Sequence, residues 1–290
     1  MSVDLLELYL ELRRVSDCLY DVQDVRIRTA SRLRGLPKEV YGVYPKNLLD
    51  IEKQLTKQLN TLLKQVPVWN YWLKDVKGVG PRLAGAILSR IAVKYQVVEK
   101  LDNVTEIQRR FAVKFQNKPG YLIPVYRGIQ AFPNISKLWK YSGLHTENGL
   151  APRRRRGERV DWNPTLKMLL LGRLATSFIR TARGEKYEQI YRKQKSYYMS
   201  PEKYGPALQD PRKCPRYEEC IRRLRQAAKR LGRMEKHPPC RAHIDAMARR
   251  YMIKEFVKDL WIEWRKAENL PIFPPYWEAK TSHGFGEAHI

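Results

Sequence analysis

Between residues 73 and 87 the chain reads Leu73-Lys74-Asp75-Val76-Lys77-Gly78-Val79-Gly80-Pro81-Arg82-Leu83-Ala84-Gly85-Ala86-Ile87. Apolar residues precede a Gly-x-Gly turn and a small-residue helix follows, which is the helix-hairpin-helix pattern. Gly78 and Gly80 let the backbone N–H groups around Val79 converge at a helix N-terminus, where a phosphate can dock. Arg82 can add a charged contact. An ordinary glycine turn between helices is spelled the same way, so the flanking residues carry the reading.

A second group is Pro152-Arg153-Arg154-Arg155-Arg156-Gly157-Glu158-Arg159. Four consecutive arginines cannot share one helix face, so the stretch is expected as a loop or extended arm. Arginine forks grip phosphates with two parallel hydrogen bonds. The run lies between two apolar elements rather than at a chain end, which favours a binding role over a solvated charge run. Lys167 and Arg173 follow on a helix whose leucines face a core. Tyr191, Arg192, Lys193, Lys195, Tyr197 and Tyr198 then mix rings with cations, a mixture suited to base stacking and backbone tracking. Some of these tyrosines can equally belong to the core.

The third group is Cys214-x5-Cys220, followed after 19 intervening residues by Cys240-x2-His243. Two close-spaced pairs of sulfur and imidazole ligands are what tetrahedral zinc requires. The first pair is wider than usual, and plain cytosolic thiols are the other reading. A closed site would be structural and would stabilise a basic insertion, residues 210–243, against the last helix. No nucleotide-binding glycine loop of the GxxxxGK[ST] type is present. No catalytic residue is assigned. Asp17, Asp21 and Asp24 lie on a helix of the kind that exposes acids routinely, and His145 beside Ser142 reads as a packing or hydrogen-bonding residue.

The elements that must position these groups are mostly helical. Leu5, Leu8, Leu12, Val15, Leu19 and Val22 step by threes and fours, a heptad seam. After breakers at Gly35, Pro37, Gly42 and Pro45, a second stripe runs through Leu48, Ile51, Leu55, Leu59 and Leu62 to Pro67. Residues 1–66 are thus expected as a helical hairpin, packed on its own chain or forming a coiled-coil homodimer. Val93, Tyr95, Val97 and Val98 suggest one short strand, and Asn117, Pro119, Gly120, Pro124 and Gly128 suggest loops up to residue 133. Helices are predicted at 136–142, at 162–198 opened by Asn163-Pro164, and at about 241–269. The last of these buries Ile244, Met247, Ala248, Tyr251, Phe256, Leu260, Trp261 and Trp264. Residues 271–290 read as an extended tail. The fold class is mainly α.

Charge decides the class of partner. The 290 residues carry 56 Lys and Arg against 30 Asp and Glu, a net charge of +26. Residues 151–240 alone hold 24 basic and 9 acidic side chains, more than half of that excess. So large a surplus fits a polyanion, and a small-metabolite enzyme has no use for it. No apolar run approaches the ~20 residues of a membrane span. Asp4, Glu7 and Glu11 interrupt the first apolar stretch, unlike a secretory signal. Four cysteines do not form a secreted disulfide scaffold. A cytoplasmic nucleic-acid-binding protein is expected, with no membrane partner.

The order of the pieces is familiar. A coiled coil leads to WLKDVKGVGPRLAGAIL, then to FPNISKLWKYSGLHTENGLAPRRRRGERVDWNPTLKMLLLGRLATSFIR, and finally to HIDAMARRYMIKEFVKDLWIEWR. Over about residues 1–270 this resembles the C-terminal domain of the bridge-RNA-guided serine transposases. Lys140-Tyr141-Ser142-Gly143-Leu144 and the basic helix entry are similar to the Nop domain of box C/D ribonucleoproteins. A compact, nuclease-free chain of this lineage resembles the Tas proteins of tandem interspaced guide-RNA systems. The transposases carry an N-terminal nuclease-like domain, whereas only about 70 residues precede the hairpin here. They also place a serine where this chain has His145-Thr146-Glu147-Asn148-Gly149. The resemblance implies a Nop-like domain over residues 67–270, with the helix-hairpin-helix at 73–92. It implies a non-enzymatic, RNA-guided DNA-binding protein whose partners are a guide RNA and a target DNA. The alternatives are a transposase or recombinase using Thr146 or Ser142, and a guide-independent helix-hairpin-helix DNA-binding protein.

Overall fold

The computed structural model of the chain describes residues 4–37, 39, 43–116, 119–147, 151–154, 157–214, 217–218, 221–222, 225 and 239–273. These are mainly helical and include one small sheet. No helix among them is long and apolar enough to cross a membrane. The chain divides into two compact units, Met1–Leu169 with Asp259–Ile290, and Leu170–Lys258. The boundary drawn at residue 66 therefore separates elements of one unit.

In the first unit, helix α1 (Leu5–Arg32) is capped by the Asp4 carboxylate, which accepts from the N–H groups of Leu6 and Glu7. It pairs with α2 (Val43–Leu63), and Arg26 bridges to Glu52. After a short helix α3 (Pro67–Tyr71), α4 (Pro81–Ala92) packs against both. The heptad seam is used inside the chain: Leu8, Leu12 and Leu19 are buried there, while Leu5 is 43% exposed. A Cβ at Gly85 would stand 2.7 Å from Ser16 Oγ, so the glycine sets how closely α4 approaches α1.

The stretch after α4 is a sheet where one strand and loops were expected. Strands β1 (Val93–Val98), β2 (Val113–Lys114) and β3 (Tyr121–Tyr126) are antiparallel in the order β1-β3-β2. Val93 faces Tyr126, Val98 faces Tyr121, and Val113 faces Leu122. Pro124 sits in the central strand opposite Tyr95, which is why the sequence reads as a break. Its carbonyl accepts from Gln108 Nε2 on α5 (Glu106–Arg110), a helix opened by a Thr105/Gln108 capping box.

A polar knot joins the sheet to α4. Arg127, just past β3, donates from Nε to the Ile91 carbonyl at 2.8 Å and from its backbone to Ala92 at 2.8 Å. The hydroxyl of Tyr141, on α6 (Ile135–Tyr141), donates to the Arg90 carbonyl at 3.0 Å. That hydroxyl in turn accepts from Asn163 at 2.8 Å. The Arg127 guanidinium lies 3.9 Å from the centroid of the Tyr141 ring. Burial, partly offset by Tyr141, lowers its pKa from the usual arginine value. Orphan carbonyls at a helix C-terminus are thus met by a cation and a phenol.

Helix α7 (Pro164–Met168) starts as expected, with Asn163 as cap and Pro164 at the first position. The single helix expected over 162–198 is divided. A π-helical segment, Leu169–Leu174, precedes α8 (Ala175–Thr181), and Gly184 at φ +79° turns the chain into α9 (Lys186–Met199). In the second unit, Phe178 stacks on Tyr187 at 4.8 Å and meets Phe256 edge-on at 5.4 Å. A short helix α10 (Gly205–Gln209) follows. The last helix, α11 (Pro239–Ala267), buries Ile244, Ala248 and Phe256 in the second unit. Tyr251, expected inside, is 40% exposed. From Asp259 onward α11 belongs to the first unit, where Trp261 donates to the Phe132 carbonyl at 2.7 Å. Of the expected tail, residues 274–290 lie outside the described residues.

Arg127→Met keeps the apolar stem and removes the guanidinium's hydrogen bonds to the Ile91 and Arg90 carbonyls. It should lower the unfolding free energy by about 3 kcal/mol, read as a fall in the urea midpoint with the slope unchanged.

Candidate nucleic-acid interface

The helix-hairpin-helix stretch forms a tight turn. Residues Leu73–Asp75 make one 3-10 turn, Val79 donates to the Val76 carbonyl at 3.0 Å, and Gly78 takes φ +91°. Only glycine adopts that conformation without strain. Gly80 is the N-cap residue of α4 and has no side chain to cap with; nothing lies within 4 Å of where its Cβ would be. The N-terminus of α4 is open at Gly80. Val79 is buried and acts as an anchor. Arg82 turns toward α1, with its guanidinium 2.5 Å from Gln23 Oε1 and 5.2 Å from the Tyr20 ring centroid. Lys74 and Lys77 are exposed beside the turn.

The basic arm is fastened at both ends. Pro152 and Trp162 are buried, whereas Arg153, Arg154 and Arg159 between them are exposed. Lys167 joins the two anchors: its ammonium donates to the Pro152 carbonyl at 2.5 Å and lies 4.5 Å from the Trp162 ring centroid. Gly143, at φ +66°, makes room, because a Cβ there would come within 2.8 Å of both Lys167 and Trp162. Lys167, expected to contact nucleic acid, is thus placed as the clasp of the arm. Arg155 and Arg156 lie outside the described residues.

In the second unit, several expected contacts are internal braces. The Asp245 carboxylate receives the Tyr191 hydroxyl, Lys195 at 3.2 Å and Arg249 at 2.5 Å. Burial would raise the Asp245 pKa, but these donors outweigh it and hold the carboxyl below its usual value. Arg192 bridges to Glu188 and Arg173 is half-buried, which leaves Lys193 exposed on α9. Beyond Lys193, Tyr197 and Tyr251 are exposed and Lys203 lies over Tyr197. Sequence periodicity had assigned Tyr251 to the core, and a single Lys203 next to Glu202 carried no signal.

Of the metal candidates, Cys214 is a buried free thiol packed with Ala207, Tyr204, Leu208 and Tyr217. The His243 ring meets the same Tyr204 edge-on at 5.6 Å. The Cys214 thiol and the His243 imidazole therefore share a neighbour. Cys220 and the Cys240 side chain lie outside the described residues. Among the described residues no three His, Cys, Asp or Glu side chains form a metal-holding group.

Hydroxyls near the arm differ in access. Ser142 is fully buried, and Thr146 is exposed between His145 and Glu147, whose side chains meet at 2.9 Å. Lys140 bridges to Asp161 at 2.7 Å at the surface. No protein-family model, curated protein or solved structure matches the chain.

Replacing Lys167 with Met removes a charged donor and strands the Pro152 carbonyl, a loss of about 1.5–3 kcal/mol. Backbone hydrogen exchange over residues 151–163 should accelerate by about tenfold or more, with the α1–α2 hairpin unaffected.

Proposed function

We propose that the chain is a cytoplasmic RNA-guided DNA-binding protein that holds a structured guide RNA and presents it for pairing with target DNA, without cutting either. The observation that carries the reading is the clasped arm: exposed Arg153, Arg154 and Arg159 are tethered by Pro152, Trp162 and Lys167. Cations held on an anchored loop lose less entropy on meeting phosphate than free side chains do. The net charge of +26 and the open N-terminus of α4 support a polyanionic ligand. Guidance by RNA rests on the resemblance of the motif order to that of the Tas and Nop-domain proteins. Sequence choice then comes from base pairing, and the protein grips backbones.

The transposase reading is weaker at one position, since the buried Ser142 hydroxyl cannot reach a phosphodiester. Thr146 remains its nucleophile. In the proposed assembly a homodimer forms through the N-terminal helices, on which Val25, Ile27, Leu49 and Ile51 are exposed.

Replacing Arg153, Arg154, Arg155 and Arg156 with Ala should weaken binding of co-purifying RNA by about 100-fold or more and flatten its salt dependence, because fewer counterions are released. Unchanged affinity would remove the arm from the site. Loaded protein with Mg²⁺ should bind matching DNA and leave both strands whole; cleavage that disappears in Thr146→Ala would install the transposase reading.

A structural zinc ion held by Cys214, Cys220, Cys240 and His243 belongs to the same proposal, supported by the shared Tyr204 neighbour of Cys214 and His243. Purified protein should contain about one zinc per chain. Cys214→Ser should release it and open the 210–243 segment to protease.

A further inference from the structure

A surface of the second unit combines exposed rings with cations. Tyr197, at the end of α9, is 46% exposed, and its ring centroid lies 5.6 Å from that of Tyr198. Tyr198 meets Tyr204 at 6.4 Å. The Lys203 ammonium lies 5.3 Å from the Tyr197 ring centroid. On α11, the Tyr251 hydroxyl interacts electrostatically with Glu255, Lys258 and Tyr198. Burial is the first cause of its raised pKa, yet the side chain is 40% exposed.

Tyr198 is half-buried and packs on Tyr204, while Tyr197 and Tyr251 are exposed. Tyr187 and Tyr191 on the same helix are buried, Tyr191 tied to Asp245, whereas Tyr197 turns outward. A hydroxyl that only needed water would not require neighbouring rings. Successive rings edged by ammonium groups match unpaired nucleobases strung on phosphates: the rings offer stacking faces and the lysines neutralise the backbone. A paired duplex hides its base faces and gains nothing from such a surface. Lys258 is bridged to Glu255 at 2.8 Å, whereas Lys203 and Lys193 are exposed in the same unit, which fits an anionic strand.

We propose that Tyr197, Tyr198 and Tyr251, with Lys203, form a stacking platform for single-stranded nucleic acid. This rests on the reading of the chain as a nucleic-acid binder but not on the arginine arm. The platform would hold an unpaired segment of guide or of displaced DNA strand, recognised by its base faces without sequence preference.

The test uses the full chain and two fluorescent strands of equal length and charge, an oligothymidylate and its abasic counterpart. The protein should bind the base-bearing strand about tenfold or more tighter. A Tyr197→Leu/Tyr251→Leu variant should lose that preference, and the corresponding Phe variant should keep it. Photo-crosslinking of a bromouracil-substituted strand should label peptides containing Tyr197 or Tyr251. Equal affinity for both strands, a preference that survives the Leu variant, or crosslinks confined to other peptides would overturn the platform. Those outcomes leave the arm's binding of structured RNA standing, since the arginine variant reads it separately. Failure to bind either strand or any RNA would bring down both.

Discussion

The first unit depends on how the carbonyl end of α4 is satisfied. A helix that ends against a sheet leaves its last carbonyls pointing into protein, where water cannot reach all of them. Here the Arg90, Ile91 and Ala92 carbonyls are taken by Tyr141 and Arg127. Because Arg127 leaves β3 and Tyr141 ends α6, the two donors fix the sheet and α6 relative to α4. Asn163 extends the knot from the Tyr141 hydroxyl to the start of α7, whose Lys167 fastens the basic arm. The open turn at Gly78–Gly80 and the exposed arginines are thus held by one chain of hydrogen bonds.

This arrangement separates two kinds of cation. Arg82, Arg90, Arg127, Lys167 and Lys195 spend their charge on carbonyls, carboxylates or ring faces inside their own units. Arg153, Arg154, Arg159 and Lys193 stand at the surface. A large net charge therefore overstates the binding face, since part of it is structural. The internal cations still matter for affinity, because they decide how rigidly the outer ones are presented.

The helices were legible in the sequence because their apolar residues recur with helical spacing. The Asn163-Pro164 entry was legible as a cap. The sheet was not, since Gly120 and Pro124 read as breakers and only the pairing of β3 with two neighbours, with Gln108 buttressing the Pro124 carbonyl of β3, overrides them. The break at Gly184 was hidden by the strong helical pattern on either side. Among site residues, the Gly-x-Gly turn and the arm were recognisable by composition. Whether Lys167 or Lys195 faces outward was not, because that depends on partners 15 and 50 residues away in the chain. Tyr251 shows the opposite failure: it lies on the apolar stripe of α11 by spacing, but the helix surface near it is left uncovered.

The π-helical segment at Leu169–Leu174 bears on how this chain can change in length. Such a turn holds one residue more than an α-helical turn. Removing that residue would restore regular helix while rotating everything beyond it by about 100°. Leu174 and Phe178 would then be turned by that angle relative to Leu166 and Leu169 along the same helix, although all four are buried. Single-residue deletions are usually tolerated in loops and resisted in helices. This helix holds one residue more than a regular turn, and the buried positions on either side constrain the number of residues in that turn more firmly than their types.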